Sequence, residues 1–321
     1  MAQHHYVPQF YLREFLDPAS VGTPDPWVWV ADLDPAEVSR RAPRNLANRA
    51  GYYSIPGGAT VAETEAVERL FSQMETVAAP IVRKLNRGVD TLTPQEWSDL
   101  LYFAAFLAVR TPSVRDNFEQ FFGDVAEMML SMSVMHPAYF ADTWQKANPN
   151  RTFRPEELEQ IRQSLLKKDA FKIRANPILS LQAAFDGAKD TIYPEFMKMS
   201  WVILRPSAPD SFFVTSDTPV GWVDPTPRPP MYGHGLAMPN IEVSFPVGPR
   251  ACLFAGRKLA PGMDSVAIPV ESYHVEQLNT RRAIYCGGQV YAHQESLAQW
   301  ALDFSMRHRA PGDGPAPSSA P

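Results

Sequence analysis

Two adjacent histidines near the amino terminus are the first residues whose chemistry could be functional. His4 and His5 open the string HHYVPQFYL, and an imidazole can act near neutral pH as an acid, a base or a metal ligand. Adjacent side chains of an extended segment point to opposite sides, so at most one of the two easily faces a given site. Histidines beside a terminus are usually exposed, but the apolar residues that follow favour burial of this segment together with its histidines.

An acid and a base interrupt the apolar faces of two predicted helices. Glu75 lies within the apolar face of the helix predicted over residues 64–84, and Arg110 extends the apolar face of the next helix. An unpaired charge in a core is very costly, so each needs a partner. The two could form a structural ion pair between helices. Alternatively, Glu75 is a ligand or general base and Arg110 binds an anion.

Two more polar candidates lie in the second half of the chain. Asp217 ends the apolar string SFFVTSD and begins an Asp-Thr-Pro turn. Its carboxylate could cap backbone amides of that turn, or it could hold a metal or activate water at the end of a strand. Asn279 shares a helical face with Val275 and Leu278, where it would satisfy backbone groups in the core or join a catalytic site.

The elements that position the amino-terminal candidates follow from local sequence preferences. Residues 4–7 are predicted to be extended, because the residue before a proline avoids the α region, and Pro8 suits the first turn of a short helix. Residues 27–33 alternate and favour a strand, which residues 51–55 could pair with as a small hairpin-like unit.

The rest of the chain divides into a helical part and a part rich in strands. Residues 60–197 have helical periodicity, with Thr93 as the cap of one helix and Glu96 completing its capping box. After residue 199, short β-like runs alternate with turns that contain proline or glycine, and two helices follow. We therefore predict an α+β fold with an N-terminal arm and small β unit, a central helical bundle, and a C-terminal, mostly antiparallel sheet flanked by helices.

We predict one globular unit over residues 1–309, in two packed parts. Residues 1–198 are mainly helical, and residues 199–309 are mainly β with closing helices. The tail 310–321 is predicted to be disordered, because proline, glycine, serine and alanine cannot support a packed core. The proline-rich loop 224–239 is long enough to be either functional or mobile.

Composition limits the classes of partner and the compartment. The 321 residues carry a formal net charge of −5, which argues against a broad surface for duplex nucleic acid while leaving room for a local basic cleft. No apolar run approaches the roughly 20 residues that span a bilayer, and the first residues lack the features of a signal peptide. Cys252 and Cys286 lie in apolar, strand-like strings, as expected of reduced, buried thiols. We therefore expect a cytoplasmic protein without a membrane partner.

Six strings in a fixed order resemble the bacterial domain-of-unknown-function family 4238. They are HHYVPQFYLREF, FSQMETVAAPIVRKL, FLAVRTPSVR, FFVTSDTPV, VSFPVGPRACL and VEQLNTRRA, and together they span nearly the whole chain except the tail. The opening string is the most specific, and the later ones gain weight from their order. The positions that fall on the family's motifs are His4, His5, Pro8, Glu75, Arg110, Asp217, Pro219 and Asn279. The family implies no particular reaction.

The string HH-x-[IV]-P also occurs in ββα-metal nucleases. Those enzymes need a preceding hairpin and a downstream Asn and His at short spacing, whereas here the nearest asparagine is Asn45, and Tyr52 and Tyr53 stand in place of a histidine. We reject that assignment.

The leading functional hypothesis is a hydrolase that acts on a small anionic or phosphate-containing substrate. His4 or His5 would be the acid/base or a ligand, Glu75 and Asp217 would be bases or ligands, and Asn279 would join them in the catalytic set. Arg110 would neutralise developing charge. The substrate-binding candidates are Arg110 and Gln9, and the candidate ligands of a divalent metal cofactor are His5, Glu75 and Asp217.

Two alternatives belong to other functional classes. In a non-catalytic binding or regulatory module, the amino-terminal arm would be a structural wedge, and loop 224–239 would contact a partner. In a nucleic-acid-targeting defence or toxin-like effector, basic residues would line a cleft; the candidates are Arg40, Arg41, Arg44 and Arg49.

Overall fold

Residues 3–50, 52, 61–167, 177–226, 235–257 and 266–308 are described by the computed structural model of the chain. Its helices and strands give an α+β fold, as predicted. The strands are β1 (Gln3–His5), β2 (Val28–Leu33), β3 (Ala36–Arg41), β4 (Asn48–Ala50), β5 (Ser200–Pro206), β6 (Thr215–Ser216), β7 (Gly221–Val223), β8 (Glu242–Gly248), β9 (Ala251–Gly256), β10 (Val266–Val270) and β11 (Gln289–Ala292). The α-helices are α1 (Gln9–Leu12), α2 (Val61–Asn86), α3 (Pro94–Val109), α4 (Pro112–Val134), α5 (Pro137–Ala147), α6 (Pro155–Leu165), α7 (Pro177–Gly187), α8 (Tyr193–Met197), α9 (Ser272–Tyr285) and α10 (Glu295–His308).

The chain divides into two compact units. The first comprises Met1–Val114 and Ala184–Pro321, and the second is Arg115–Ala183. The second unit is therefore inserted into the sequence of the first. This division differs from the predicted boundary at residue 198, because helices before and after the insertion belong to the same unit as the sheets. The predicted tail 310–321 and half of loop 224–239, residues 227–234, lie outside the described residues.

The sheets are mostly antiparallel, as predicted. One has the order β10-β5-β9-β8-β7, in which only the β10–β5 pair is parallel, and the other has the order β3-β2-β11-β6. The short strands β1 and β4 form an antiparallel pair that includes His4 opposite Arg49. The amino-terminal arm is thus anchored by backbone hydrogen bonds.

The predicted partner of β2 was wrong. In the structure, β2 pairs with β3, the strand that follows it in the chain. The two are joined by a turn at Asp34-Pro35, and Val28 lies opposite Arg41. Of the predicted partner, residues 51–55, only Tyr52 is among the described residues, and it lies in a turn. Strand β3 has no buried residue, so its sequence lacks the apolar alternation on which the prediction relied.

Helix α3 begins as its sequence predicts. The Thr93 hydroxyl accepts a hydrogen bond from the Glu96 amide at 3.1 Å, and the Glu96 carboxylate accepts one from the Thr93 amide at 2.7 Å. These reciprocal bonds form the capping box and satisfy two amides that the helix leaves without partners. Within the described ranges, no helix combines the length and the apolar character needed to cross a bilayer.

Two clusters of buried side chains hold the carboxyl-terminal helices on the sheets. Helix α10 packs on β2 and β11 through residues that include Ala31, Val290 and Leu302. Helix α9 packs on β5 and β9 through residues that include Val275 and Cys252. Both cysteines are buried thiols, which confirms the expectation from sequence.

Candidate functional site

The two histidines of the arm point to different neighbours, as expected of adjacent residues in a strand. The buried His4 lies with its Nε2 2.7 Å from Oε1 of Glu68 on α2. The half-buried His5 has its Nε2 3.1 Å from the carbonyl oxygen of Arg44. One imidazole therefore contacts a carboxylate and the other contacts the backbone.

The contact to Arg44 determines the protonation of His5. A carbonyl oxygen can only accept a hydrogen bond, so Nε2 carries the hydrogen and donates it, while Nδ1 of the neutral ring keeps its lone pair. Burial is the largest influence and lowers the pKa of His5 below 6.5, and the carboxylate of Glu75 acts in the opposite direction. At neutral pH the ring is therefore a neutral base with Nδ1 as its basic atom.

Arg110 connects helices α2 and α3 to the arm. Its Nη1 lies 2.8 Å from Oε1 of Glu75, and its Nη2 donates to the carbonyl oxygen of His5 at 2.6 Å. Its guanidinium carbon is 3.9 Å from the centre of the Phe71 ring. The predicted pairing of Glu75 with Arg110 is confirmed, while the role of Arg110 toward an anion stays a prediction. The arrangement brings His5, Glu75 and Arg110 together.

Asp217 binds backbone amides that are distant in sequence. Its Oδ1 accepts from the Gly287 amide at 2.6 Å, and its Oδ2 accepts from the Gln289 amide at 3.2 Å. A Cβ atom at position 287 would lie 2.7 Å from Oδ2, so this approach requires glycine. Ser216 caps the local turn, since its hydroxyl accepts from the Thr218 amide. Asp217 thus joins the 216–218 turn to the segment at β11.

Buried polar residues near Asp217 escaped the prediction from sequence. Burial, followed by the charge of Asp217, raises the pKa of Tyr6, and burial raises that of Tyr291. The Tyr291 hydroxyl donates to Oε1 of Gln289 at 2.7 Å, and Nε2 of Gln289 donates to Asp32. Asp32 was detectable, because it is an acid inside the apolar strand string WVWVADL, and an acid so placed needs a partner.

Asn279 satisfies the backbone of an irregular segment. Its Oδ1 accepts from the Val214 amide at 2.9 Å, and its Nδ2 donates to the Phe212 carbonyl at 2.9 Å. Both bonds are made by a side chain that is 4% exposed. These contacts agree with the structural interpretation of Asn279 and place its amide on residues 212–214 rather than on His5.

The predicted metal ligands do not form a group. Among the described residues, no three His, Cys, Asp or Glu side chains are placed so that they could hold a metal ion. Glu75 pairs with Arg110, and Asp217 accepts from the amides near β11, so these two carboxylates serve different neighbours. Gln9, the candidate for substrate binding, is the half-buried first residue of α1, directly after the arm.

Three of the four arginines proposed to line a nucleic-acid cleft have partners within the protein. Arg41 pairs with Asp32, and Nη1 of Arg44 lies 3.0 Å from Oδ1 of Asp25. The guanidinium carbon of Arg40 lies 5.3 and 5.5 Å from the ring centres of two tryptophans, Trp27 and Trp29. Binding of nucleic acid by these residues stays a prediction. If it occurs, RNA or DNA binding should weaken steeply as the salt concentration rises.

Comparison with known proteins identifies a family and no characterised relative. No curated protein and no solved structure matches the chain significantly. A family model described as a protein of unknown function (DUF4238) matches residues 3–296. The match begins at the arm and includes His5, Glu75, Arg110, Asp217 and Asn279. Because it covers most of the 321 residues, the chain belongs to the DUF4238 family.

Proposed function

We propose that the protein is a hydrolase that acts on a small anionic substrate, with His5 as the general base. The observation that carries the proposal is the state of His5, a neutral imidazole whose Nε2–H is held by the Arg44 carbonyl and whose Nδ1 can accept a proton. Because burial lowers the pKa of His5, the ring is neutral at neutral pH and can take a proton from water or from a substrate hydroxyl.

Neighbouring residues would position the base. Arg110 donates to the backbone oxygen of His5, and Glu75 holds Arg110, so the pair sets the place of the His5 main chain. On the other side of the strand, the His4 imidazole contacts the Glu68 carboxylate. A carboxylate that faces an imidazole orients the ring.

The arginines around the arm support an anionic substrate. Arg49 lies opposite His4 in the strand pair, Arg44 holds His5 through its carbonyl group, and Arg110 lies beneath the arm. Arg49 is exposed, so its charge faces solvent near the histidines, whereas the exposed Arg44 is paired with Asp25. Positive charge around a base favours the approach of anions and stabilises negative charge that develops in hydrolysis.

The test is a comparison of hydrolysis by matched histidine variants. Wild type, His5→Gln and the control His274→Gln, which changes an exposed histidine of α9, would be assayed against chromogenic phosphomonoesters, phosphodiesters and carboxylic esters. We expect His5→Gln to lower kcat about 10²–10⁴-fold, the range for removal of a general base. In wild type, kcat/KM should fall as pH drops through the pKa of His5. Equal rates in the two variants, or no turnover by wild type, would exclude His5 as a catalytic base.

A binding or regulatory module is the second candidate, and the contacts of Arg110 favour it. Arg110 is 7% exposed and binds Glu75, the His5 carbonyl and the Phe71 ring, as expected of a residue that fixes the arm as a wedge. This function predicts that the double change His4→Ala and His5→Ala lowers the melting temperature and that neither the wild type nor the variant hydrolyses any substrate in the panel. Turnover that disappears in a double variant of unchanged melting temperature would contradict it.

A further inference from the structure

Arg282 on α9 is a buried cation without a carboxylate partner in the part of the chain that the structure describes. The residue is 3% exposed. Its Nη1 donates to the carbonyl oxygens of Thr218 and Pro219, each at 2.9 Å, and its Nη2 donates to the Ser244 hydroxyl at 3.2 Å. A buried charge is normally compensated by an opposite charge, and carbonyl dipoles compensate it only in part. The site therefore favours a negative group that is not a side chain.

A small cleft lies beside Arg282, between α9 and strands β7 and β8. Its volume of about 40 Å³ would hold roughly three water molecules, which is close to the size of one phosphate or carboxylate group. Two buried polar atoms on the residues that line it have no hydrogen-bond partner among the described residues, Nε of Arg282 and Oγ1 of Thr218. Two residues that line the cleft can thus each supply a further hydrogen.

The arrangement of donors suits an oxyanion. Nε and Nη2 form one edge of the planar guanidinium, and such an edge matches two oxygens of a phosphate or carboxylate. Gly221 allows this placement, since a Cβ atom there would lie 2.3 Å from Nη2 of Arg282. Arg281, the next cation along α9, also lines the cleft and lies 2.6 Å from Glu242, so the carboxylate on this wall is already neutralised.

We propose that this cleft binds one phosphate group, either as free phosphate or as the end of a larger molecule. Arg282 would bind two of its oxygens through Nε and Nη2, and the hydroxyl groups of Thr218 and Ser244 would bind the others. The site does not depend on His5 or on any hydrolytic activity. Because Arg282 also holds the carbonyls of residues 218 and 219, bound phosphate would stabilise the turn that carries Asp217.

The test measures binding of inorganic phosphate by calorimetry and by thermal shift, with sodium chloride at matched ionic strength as the reference. We expect phosphate, but not chloride, to raise the melting temperature of wild type in a concentration-dependent way. Thr218→Val removes the hydroxyl that lacks a partner without changing side-chain volume, so the variant should fold and bind phosphate roughly tenfold more weakly. Arg282→Lys, which keeps the charge but loses the planar edge, should weaken binding further.

A matched control separates the cleft from general charge effects. Lys198→Gln removes one positive charge from an exposed residue that does not line the cleft, so this variant should bind phosphate as wild type does. No phosphate-specific effect on folded wild type, or unchanged affinity in Thr218→Val, would overturn the proposal. Adenosine monophosphate distinguishes the two sources of the group. Tighter binding than inorganic phosphate indicates the end of a larger molecule, and equal binding indicates free phosphate.

Discussion

Replacement of Asn279 by leucine tests whether this side chain supports the backbone. Leucine has nearly the same volume, but it can neither accept from the Val214 amide nor donate to the Phe212 carbonyl. The Val214 amide is buried, so its loss of a partner costs about 1–3 kcal/mol, and loss of the partly buried bond to Phe212 adds about 1 kcal/mol. We expect the free energy of unfolding to fall by about 2–4 kcal/mol, a large part of the 5–15 kcal/mol typical of a protein.

Urea unfolding followed by circular dichroism would measure this loss. The midpoint should shift to lower urea while the slope stays unchanged, because the surface exposed on unfolding is the same. The control is Gln277→Leu on the same helix, where an exposed amide donates to the Tyr273 hydroxyl, and its effect should stay within about 0.5 kcal/mol. If Asn279→Leu costs no more than this control, Asn279 does not hold residues 212–214.

Three further predictions concern a helix cap, a buried histidine and the thiols. Thr93→Ala should lower the free energy of unfolding by about 1 kcal/mol in urea, because the hydroxyl caps the Glu96 amide; no change would contradict that role. Burial lowers the pKa of His293 to about 4, so the folded protein resists protonation, and stability should fall as pH drops from about 6.5 to 4, with a flatter profile of melting temperature in His293→Gln; parallel profiles would refute this. Burial raises the pKa of Cys252 to about 12, so at pH 8 neither it nor Cys286 should react with a thiol reagent until denaturant is added, and rapid reaction of the native protein would contradict it.

Local sequence rules correctly predicted those elements whose conformation is determined by residues within the element itself. The start of α3 is one, because Thr93, Pro94 and Glu96 satisfy the helix end among themselves. Strand β3 escaped the prediction, because it lies at the edge of its sheet with exposed residues on it and has no apolar alternation. Its pairing with β2 depends on a turn and on backbone bonds, which leave little trace in side-chain pattern.

The candidate site was predictable only where a charge interrupts an apolar face. This reasoning found Glu75 and Arg110 and correctly paired them. The same reasoning applies to Arg282, which shares the apolar face of Asn279, but its partners come from residues 218–244 and appear only in the folded chain. Asp217 was placed at a turn, and its contacts to the distant amides of Gly287 and Gln289 were not predicted. Contacts between segments so distant in sequence leave no periodic pattern to detect.

The order of strands in the four-stranded sheet β3-β2-β11-β6 has a consequence for synthesis on the ribosome. Strand β2 can pair with β3 soon after both leave the ribosome. Its other neighbour is β11, so Trp29 has no opposite residue until Ala292 has been synthesised. At 5–20 residues per second, the open side of β2 stays without its partner for a time on the order of tens of seconds. A nascent chain in this state presents unpaired backbone groups and the apolar side chains of Val30 and Ala31, and both are surfaces that chaperones recognise. Truncation before residue 289 would make that state permanent and leave the fragment prone to aggregate.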